Sequence, residues 1–480
     1  MGRGHRYDLV VVGMGSGGMV AAELAASLPL RVAVVERDRV GGECLWTGCV
    51  PSKALLASAR VAQAMRDADR WGLAPVEPAI DTASVWARMR AVQDAIAASD
   101  DSPARFEALG VELVPGQAHL VDAHTVAVGD RRLSTRFVLL CTGSRPSSPP
   151  VEGLAEAGFL TNESVFGLER PPASITMIGG GPIAIELAQA MHRLGVRVNV
   201  LERMPTILGR EEPELVATLA GLLADEGLAI HTGVEIRRVV LEGGRKVVEG
   251  TQGGAERRWE AEELLVAAGR RPNVEGLGLE ALGVETSPRG VVVDERMRTS
   301  VASVYAAGDV AGRFLFTHSA GHEAVRAVRD MFFPGRGTVS SLVPWCTFTD
   351  PELAHVGLTA EEARRRHGDR VEVHRLELSH SDRARADGHA EGAVVVVCAG
   401  RAVVGAHILA PAAGEIIHEL ALAVDRGMAL SELASLVHVY PTLATSVGQL
   451  AAEAAFAGAR RWAWTVRAGR LWDRMRPSTS

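Results

Sequence analysis

Lysine is nearly absent from this chain. Of its 51 basic residues only Lys53 and Lys246 are lysines and all the others are arginines, so a lysine here is a selected residue rather than a generic positive charge. Cysteine is scarce as well. The five in 480 residues are an odd number that fits one reactive pair, with Cys141, Cys346 and Cys398 as ordinary small apolar residues in a reducing compartment. No apolar run reaches the roughly 20 residues that a membrane-spanning helix needs. The net charge is −7 and no basic stripe occurs before the extreme C-terminus, which argues against nucleic acid as the main partner. Long low-complexity linkers and short-period repeats are also missing. The first strand, Tyr7 to Val12, begins almost at once and leaves no room for a signal peptide, so the chain is expected to be cytoplasmic. What remains is an ordinary soluble globular composition, 47% hydrophobic and 23% charged, with a length that predicts about three domains.

One long-range duplication stands out. Val10-Val11-Val12 runs into Gly13-Met14-Gly15-Ser16-Gly17-Gly18 and then Met19-Val20-Ala21-Ala22-Glu23-Leu24, a strand, a Gly-x-Gly-x-x-Gly turn and a helix. The next strand, Val32 to Val35, ends in Glu36. Gly13 makes the turn, Gly15 lets the backbone approach a pyrophosphate, Gly18 lets helix pack on strand, and Glu36 accepts hydrogen bonds from a ribose. A lone glycine motif is weak evidence, but here strand, helix and acidic residue all fall in place. The pattern recurs at Ile175 to Glu186 with Gly179, Gly181 and Ala184 at the glycine positions, and Val198 to Leu201 leads to Glu202. Two dinucleotides are expected. Glu202 suits a free ribose 2′-hydroxyl and so NADH, while the adjacent Arg203 leaves NADPH open.

Between the two copies lies Gly41-Gly42-Glu43-Cys44-Leu45-Trp46-Thr47-Gly48-Cys49-Val50-Pro51-Ser52-Lys53. Just after a dinucleotide fingerprint, the cysteines read as a redox-active disulfide beside a flavin, and Lys53 as an ammonium compact enough to approach a flavin ring nitrogen. Zinc would need two more ligands, and no other cysteine or histidine lies between His5 and His119. Two unrelated buried thiols are the other alternative. In a regular helix the Cα atoms of residues i and i+5 are about 8 to 9 Å apart, beyond the roughly 7 Å that a disulfide spans. The backbone must therefore distort, and Gly48 supplies the freedom. Pro51, Ser52 and Ala54-Leu55-Leu56-Ala57 predict the first turns of a helix with Cys49 near its N-terminus, where the helix dipole and Lys53 favour a thiolate.

Further pieces are Cys141-Thr142-Gly143-Ser144-Arg145-Pro146, Ala267-Ala268-Gly269-Arg270-Arg271-Pro272-Asn273 and Ser303-Val304-Tyr305-Ala306-Ala307-Gly308-Asp309. The ordered series, from Tyr7 to about Glu453, resembles the pyridine nucleotide-disulfide oxidoreductases, which include glutathione reductase, dihydrolipoamide dehydrogenase and mercuric reductase. The resemblance implies an α/β fold of two Rossmann-like domains, for FAD and NAD(P), and a C-terminal α+β dimerisation domain. The expected divisions are a first FAD segment at 1–150, a nicotinamide domain at 151–273, a second FAD segment at 274–338, a dimerisation domain at 339–458 and an amphipathic basic tail at 459–480. Phe348 to Gly357 would open the dimerisation domain. Gly13, Gly15, Gly18, Glu36, Gly42, Lys53, Gly143 and Asp309 would contact FAD. Gly179, Gly181, Glu186 and Glu202 would serve the nicotinamide side, and Gly269 joins the cofactor-binding residues. The family pairs Lys53 with Glu186 near the flavin. His318 and His322, drawn as metal ligands with Glu323, match instead the family helix beneath the flavin's pyrimidine end, and His380, Asp382, Asp387 and His389 read as a solvated turn. No metal is expected.

The implied chemistry is a relay of NAD(P)H, FAD and disulfide, with Cys49 flavin-proximal and Cys44 attacking the substrate, a small-molecule or lipoyl-type thiol or disulfide. The substrate end departs from the pattern. Where the family has His-Pro-Thr-x-x-Glu, this chain has Tyr440-Pro441-Thr442-Leu443-Ala444-Thr445. A phenol is a poor base at neutral pH, and His438 is the nearest substitute. Tyrosine also occurs at the metal site of mercuric reductases, which carry a further C-terminal cysteine pair; here the last cysteine is Cys398. The ketopropyl-coenzyme M carboxylase branch also lacks the histidine. A mercuric-reductase-like metal-ion or quinone reductase is thus an alternative, and an FAD-containing interaction protein without catalysis a second. In the tail, Trp464, Ala468, Leu471, Trp472 and Met475 fall on one helical face with Arg460, Arg467, Arg470 and Arg474 largely opposite, which suits packing on the homodimer or peripheral contact with an anionic membrane.

Overall fold

The computed structural model describes residues 5–335, 337–461 and 464–468. It contains two compact units. One holds the chain up to Ala68, Ala74–Ile207 and Gly227–Ser341; the other holds Asp69–Leu73, Leu208–Glu226 and the chain from Leu342 onward.

The first unit is built on Tyr7–Val12. Five of its six residues are buried, the near-continuous apolar run of a parallel strand covered on both faces. It pairs in parallel with Val32–Glu36 on one side and Arg131–Leu140 on the other, with Leu9 opposite both Val32 and Phe137. Arg131–Leu140 is ten residues long and serves two partners: its first half pairs antiparallel with Thr125–Val128, its last half also takes Val304–Ala306 in parallel. Val10, Val11 and Leu139 are fully enclosed, each contributing about 1.5 to 3 kcal/mol relative to exposure. Crossover helix Ser16–Ala26 joins the first two strands.

The second glycine motif repeats this construction. Ser174–Ile178, Arg197–Leu201, Ala229–His231 and Glu263–Val266 form a four-stranded parallel sheet with Ser174–Ile178 and Arg197–Leu201 at its centre, and helix Pro182–Arg193 crosses between those two. Two nucleotide folds in one unit match the α/β class expected. The two sheets are tied where Ser144–Pro146 pairs antiparallel with Arg270–Pro272.

The second unit carries a five-stranded antiparallel sheet in the order Trp345–Thr347, Glu352–Gly357, Ala402–Ala410, Ala393–Ala399, Val371–Glu377. Ala393–Ala399 reads Ala-Val-Val-Val-Val-Cys-Ala with only its last residue not buried, which marks a strand covered on both faces. Helices Ala413–Arg426 and Thr445–Arg461 close one apolar core with Ile416, Leu420, Val447 and Leu450. Among the described residues no helix is long and apolar enough to cross a membrane. The basic tail face falls largely outside the description: Leu471, Trp472, Met475, Arg470 and Arg474 are not among the described residues.

Candidate active site

The duplication in sequence becomes a duplication in geometry. Gly13 has φ +98°, and a Cβ there would lie 2.4 Å from the carbonyl oxygen of Cys141; Gly179 has φ +116°, and a Cβ would lie 2.5 Å from that of Ala267. Only glycine fits either turn. Glu36 accepts from Met14 N–H at 2.6 Å and Asp38 N–H at 2.8 Å. Glu202 does the same to Gly180 N–H and Met204 N–H, both at 2.6 Å. Each carboxylate thus closes the glycine turn of its own nucleotide fold and stands where a ribose would meet it.

In the first copy a cleft of about 420 Å³ is lined by Gly13, Gly15, Glu36, Gly42 and Gly143, along with Glu43, Trp46 and Ser144. Gly42 presses on the fingerprint turn, since a Cβ on it would stand 2.6 Å from the Cα of Gly15. Gly18 sits behind the turn, where a Cβ would meet the Gly13 carbonyl, the helix–strand packing role read from sequence. The residues fit an extended dinucleotide such as FAD: a narrow, glycine-walled groove, backbone at the N-terminus of helix Ser16–Ala26, and a carboxylate at the ribose end. Asp309 and Gly269 do not line the cleft. Asp309 accepts from Ser144 Oγ at 2.5 Å, and Gly269 accepts from Ser147 N–H at the sheet junction.

The cysteines stand at a break between helices. Cys44 lies in Gly42–Trp46 and Cys49 opens Cys49–Arg66, with Thr47 and Gly48 non-helical between them. That interruption answers the geometric objection to an i, i+5 pair. Both thiols are free, Cys49 exposed and Cys44 partly buried. The Cys44 thiol hydrogen-bonds to Cys49, which lowers the Cys49 pKa to about 6, assisted by the Thr317 hydroxyl at 3.5 Å and by the Lys53 charge; the same bond and burial raise Cys44. At neutral pH one thiolate, Cys49, is held beside one thiol, Cys44. Lys53, one turn into the same helix, donates to Glu186 Oε2 at 2.8 Å, the pair implied by the family resemblance. Glu186 is buried on helix Pro182–Arg193 of the second nucleotide fold.

Sequence reasoning passed over several groups here. Arg270 reaches three partners: Glu43 through Nη2, Ser144 Oγ at 2.8 Å and Asp309 Oδ2 at 3.5 Å. Burial pushes the Glu43 carboxyl up even with Arg270 against it. Glu323 is fully buried and accepts from Gly308 N–H at 2.8 Å; burial raises it to about 7. Both Glu43 and Arg270 stood inside recognised motifs, but nothing in their spacing points one at the other. His318 stacks on Phe316 at 5.4 Å between centroids.

In the second unit the substrate-end residues are turned to local partners. Tyr440 is 67% exposed and donates to Asp382 Oδ2 at 2.9 Å, which raises its pKa. Thr445, at the glutamate position, bonds the Thr442 carbonyl at 2.7 Å. His438 points inward, with Nε2 at 3.1 Å from Glu419 Oε2 and a side chain only 9% exposed. Asp382, read as part of a solvated turn, has Tyr440 as its partner.

Two nucleotide folds flanking a thiol–thiolate pair define a flavin- and nicotinamide-linked oxidoreductase. The family description "Pyridine nucleotide-disulphide oxidoreductase" matches residues 7–324, and that family's dimerisation domain matches 343–451. Dihydrolipoyl dehydrogenase of Thermus scotoductus is 36% identical over 453 residues, 93% of this chain and 96% of that one. Mercuric reductase of Bacillus cereus is 32% identical over 446 residues, 92% of this chain and 70% of the relative, and glutathione reductase of Burkholderia cepacia is 35% identical over 448 residues, 92% and 97%. Among solved structures, the HOCl-induced flavoprotein disulfide reductase RclA from Escherichia coli superposes with a TM-score of 0.81 at 25% identity, covering 93% of this chain and 99% of its own. The chain belongs to the pyridine nucleotide-disulphide oxidoreductase family. It is an FAD-dependent NAD(P)H disulfide oxidoreductase, and its dimerisation domain supports a homodimer.

Proposed function

We propose that Cys44 and Cys49 form the redox-active pair of an NADH-dependent enzyme whose preferred acceptors, quinones and comparable two-electron carriers, need no proton shuttle from the protein. Bound FAD supplies two-electron exchange with the nicotinamide, the cysteine pair and the acceptor. The residues divide the remaining work. Gly13, Gly15, Glu36, Gly42 and Gly143 hold FAD, with Gly18 packing behind the turn and Asp309 acting through the cleft residue Ser144; Gly179, Gly181 and Glu202, with Gly269 at the sheet junction, hold NADH. Lys53 and Glu186 fix a charge pair between the two nucleotide folds. Cys49 is kept as the thiolate, and Cys44 is the thiol that exchanges with a sulfur substrate when one is taken.

NADH over NADPH is supported by the likeness of Glu202 to Glu36. A carboxylate closing the turn in both copies accepts from a ribose hydroxyl and repels a 2′-phosphate. Thiol–disulfide exchange needs a base when Cys44 attacks and an acid when the leaving thiol departs. The observation that carries the acceptor preference is the capture of Tyr440 by Asp382, together with the inward turn of His438, which leaves that exchange without its usual groups. A mercuric-ion reductase is the less supported reading: beyond the pair, Cys398 and Cys141 are buried and Cys346 is half-buried. The test is initial-rate turnover of the holoenzyme, with NADH and NADPH, on lipoamide, glutathione disulfide, a benzoquinone and mercuric ion. Benzoquinone with NADH should lead; lipoamide in the lead would overturn the acceptor preference.

A further inference from the structure

Helix Gly42–Trp46 is only five residues long and cannot hold itself. Side chains fasten its far end. Buried Gln93 donates to the carbonyls of Leu45 and Trp46, both at 2.9 Å, and Trp46 Nε1 donates to Val40 at 2.8 Å. Glu43, beside Cys44, is gripped from both sides: Oε1 accepts from Asn162 Nδ2 at 2.8 Å, and Oε2 accepts from Arg270. Asn162 also donates to the Thr47 carbonyl in the break between the two cysteines, at 3.0 Å.

Arg270 is itself well fixed. Its side chain is 13% exposed, it follows the last strand of the second nucleotide fold, and Ser144 and Asp309 hold its Nε. A planar fork with three anchored partners sets position in a way a flexible ammonium cannot.

We propose that Arg270 is a positioning residue for the dithiol: by clamping Glu43 it sets the register of the short helix and so keeps the Cys44 thiol donating to Cys49. The proposal rests on the relay reading above. If the clamp is released, Cys44 drifts from Cys49, the thiolate loses its first stabilising hydrogen bond, and the pH at which it forms must rise.

The test is the pH midpoint of the long-wavelength thiolate–flavin absorbance of the reduced, FAD-loaded dimer, measured anaerobically in wild type, Arg270→Met, Glu43→Gln and the double variant. In glutamine one of the two positions that face Arg270 and Asn162 becomes an NH2 donor turned toward another donor, and the negative charge is lost, so Glu43→Gln loosens the grip with little change in volume and serves if Arg270→Met does not fold. Each single variant should move the midpoint upward by about half to one unit, a three- to tenfold weaker thiolate, and the double variant should move it no further, because both act through one contact. Unmoved midpoints in both single variants, or a double-variant shift equal to the sum, would overturn the clamp. Absence of the band in the wild-type enzyme would overturn the relay and the clamp with it; a wild-type band that the variants leave in place would overturn the clamp alone.

Discussion

The phenol of Tyr440 donates its hydrogen bond to Asp382, 58 positions earlier in the chain. A carboxylate on the phenol holds its proton more firmly than in free tyrosine. Tyr440 therefore does not serve as a general base near neutral pH, and Thr445 has no carboxylate with which to support one. General acid–base groups contribute about 10²- to 10⁴-fold. Lipoamide and glutathione disulfide should accordingly turn over weakly beside quinones. Tyr440→His with Thr445→Glu should raise lipoamide turnover at least tenfold and leave NADH-driven dye reduction near its original rate. High lipoamide turnover by the unaltered enzyme would mean another base already acts there, His438 being the first to test.

Glu202 should set nucleotide choice. NADH should exceed NADPH in kcat/KM by about tenfold or more, since a carboxylate that accepts from a ribose hydroxyl repels a 2′-phosphate. Glu202→Ser should reduce that ratio mainly through the KM for NADH. A wild-type preference for NADPH would assign the decisive contact to Arg203 instead.

The pair of thiols carries its own pH signature. Cys49 sits near 6, so the thiolate of the reduced enzyme should persist at pH 7 and disappear as pH falls through about 6. Lys53→Met removes a cation that lowers it, and the midpoint should rise. Spectrophotometric titration of the reduced enzyme checks both; an invariant midpoint in Lys53→Met would remove Lys53 from this role.

Glu323 offers a stability test away from the thiols. Its folded pKa near 7 stands above the roughly 4.3 of an unfolded glutamate. The folded state then binds the extra proton between those values, so its stability falls as pH rises through that window. Glu323→Gln keeps an acceptor for Gly308 N–H and should relieve the buried charge, on the order of 3 kcal/mol by the size of the shift. The thermal midpoint should rise more at pH 8 than at pH 4.5. Equal effects at both would show that the carboxyl is not strained by burial.

The two nucleotide folds were legible because their signals are local: strand, glycine turn, helix and acidic residue recur within a short stretch, and the structure returns the turn twice. Lys53 was legible for a different reason, its rarity, and the structure pairs it with Glu186 as the resemblance implied. The break between Cys44 and Cys49 was foreseeable from helix geometry and falls at Thr47 and Gly48. Partnerships across the fold were not legible. Arg270 meets Glu43 across 227 positions and His438 meets Glu419 across 19, and no periodicity encodes either. Such contacts depend on how whole elements pack, as does the fate of Tyr440, whose identity was plain in the sequence while its captor, Asp382, looked like surface.

Anaerobic titration of the FAD-loaded enzyme with NADH tests the central claim most directly. The account predicts uptake by two coupled two-electron centres per subunit with a long-wavelength thiolate band, a band abolished in Cys49→Ala and, in Cys44→Ala, present before any NADH is added, with its pH midpoint raised. Uptake by a single two-electron centre, with the same spectrum in wild type and both variants, would contradict it.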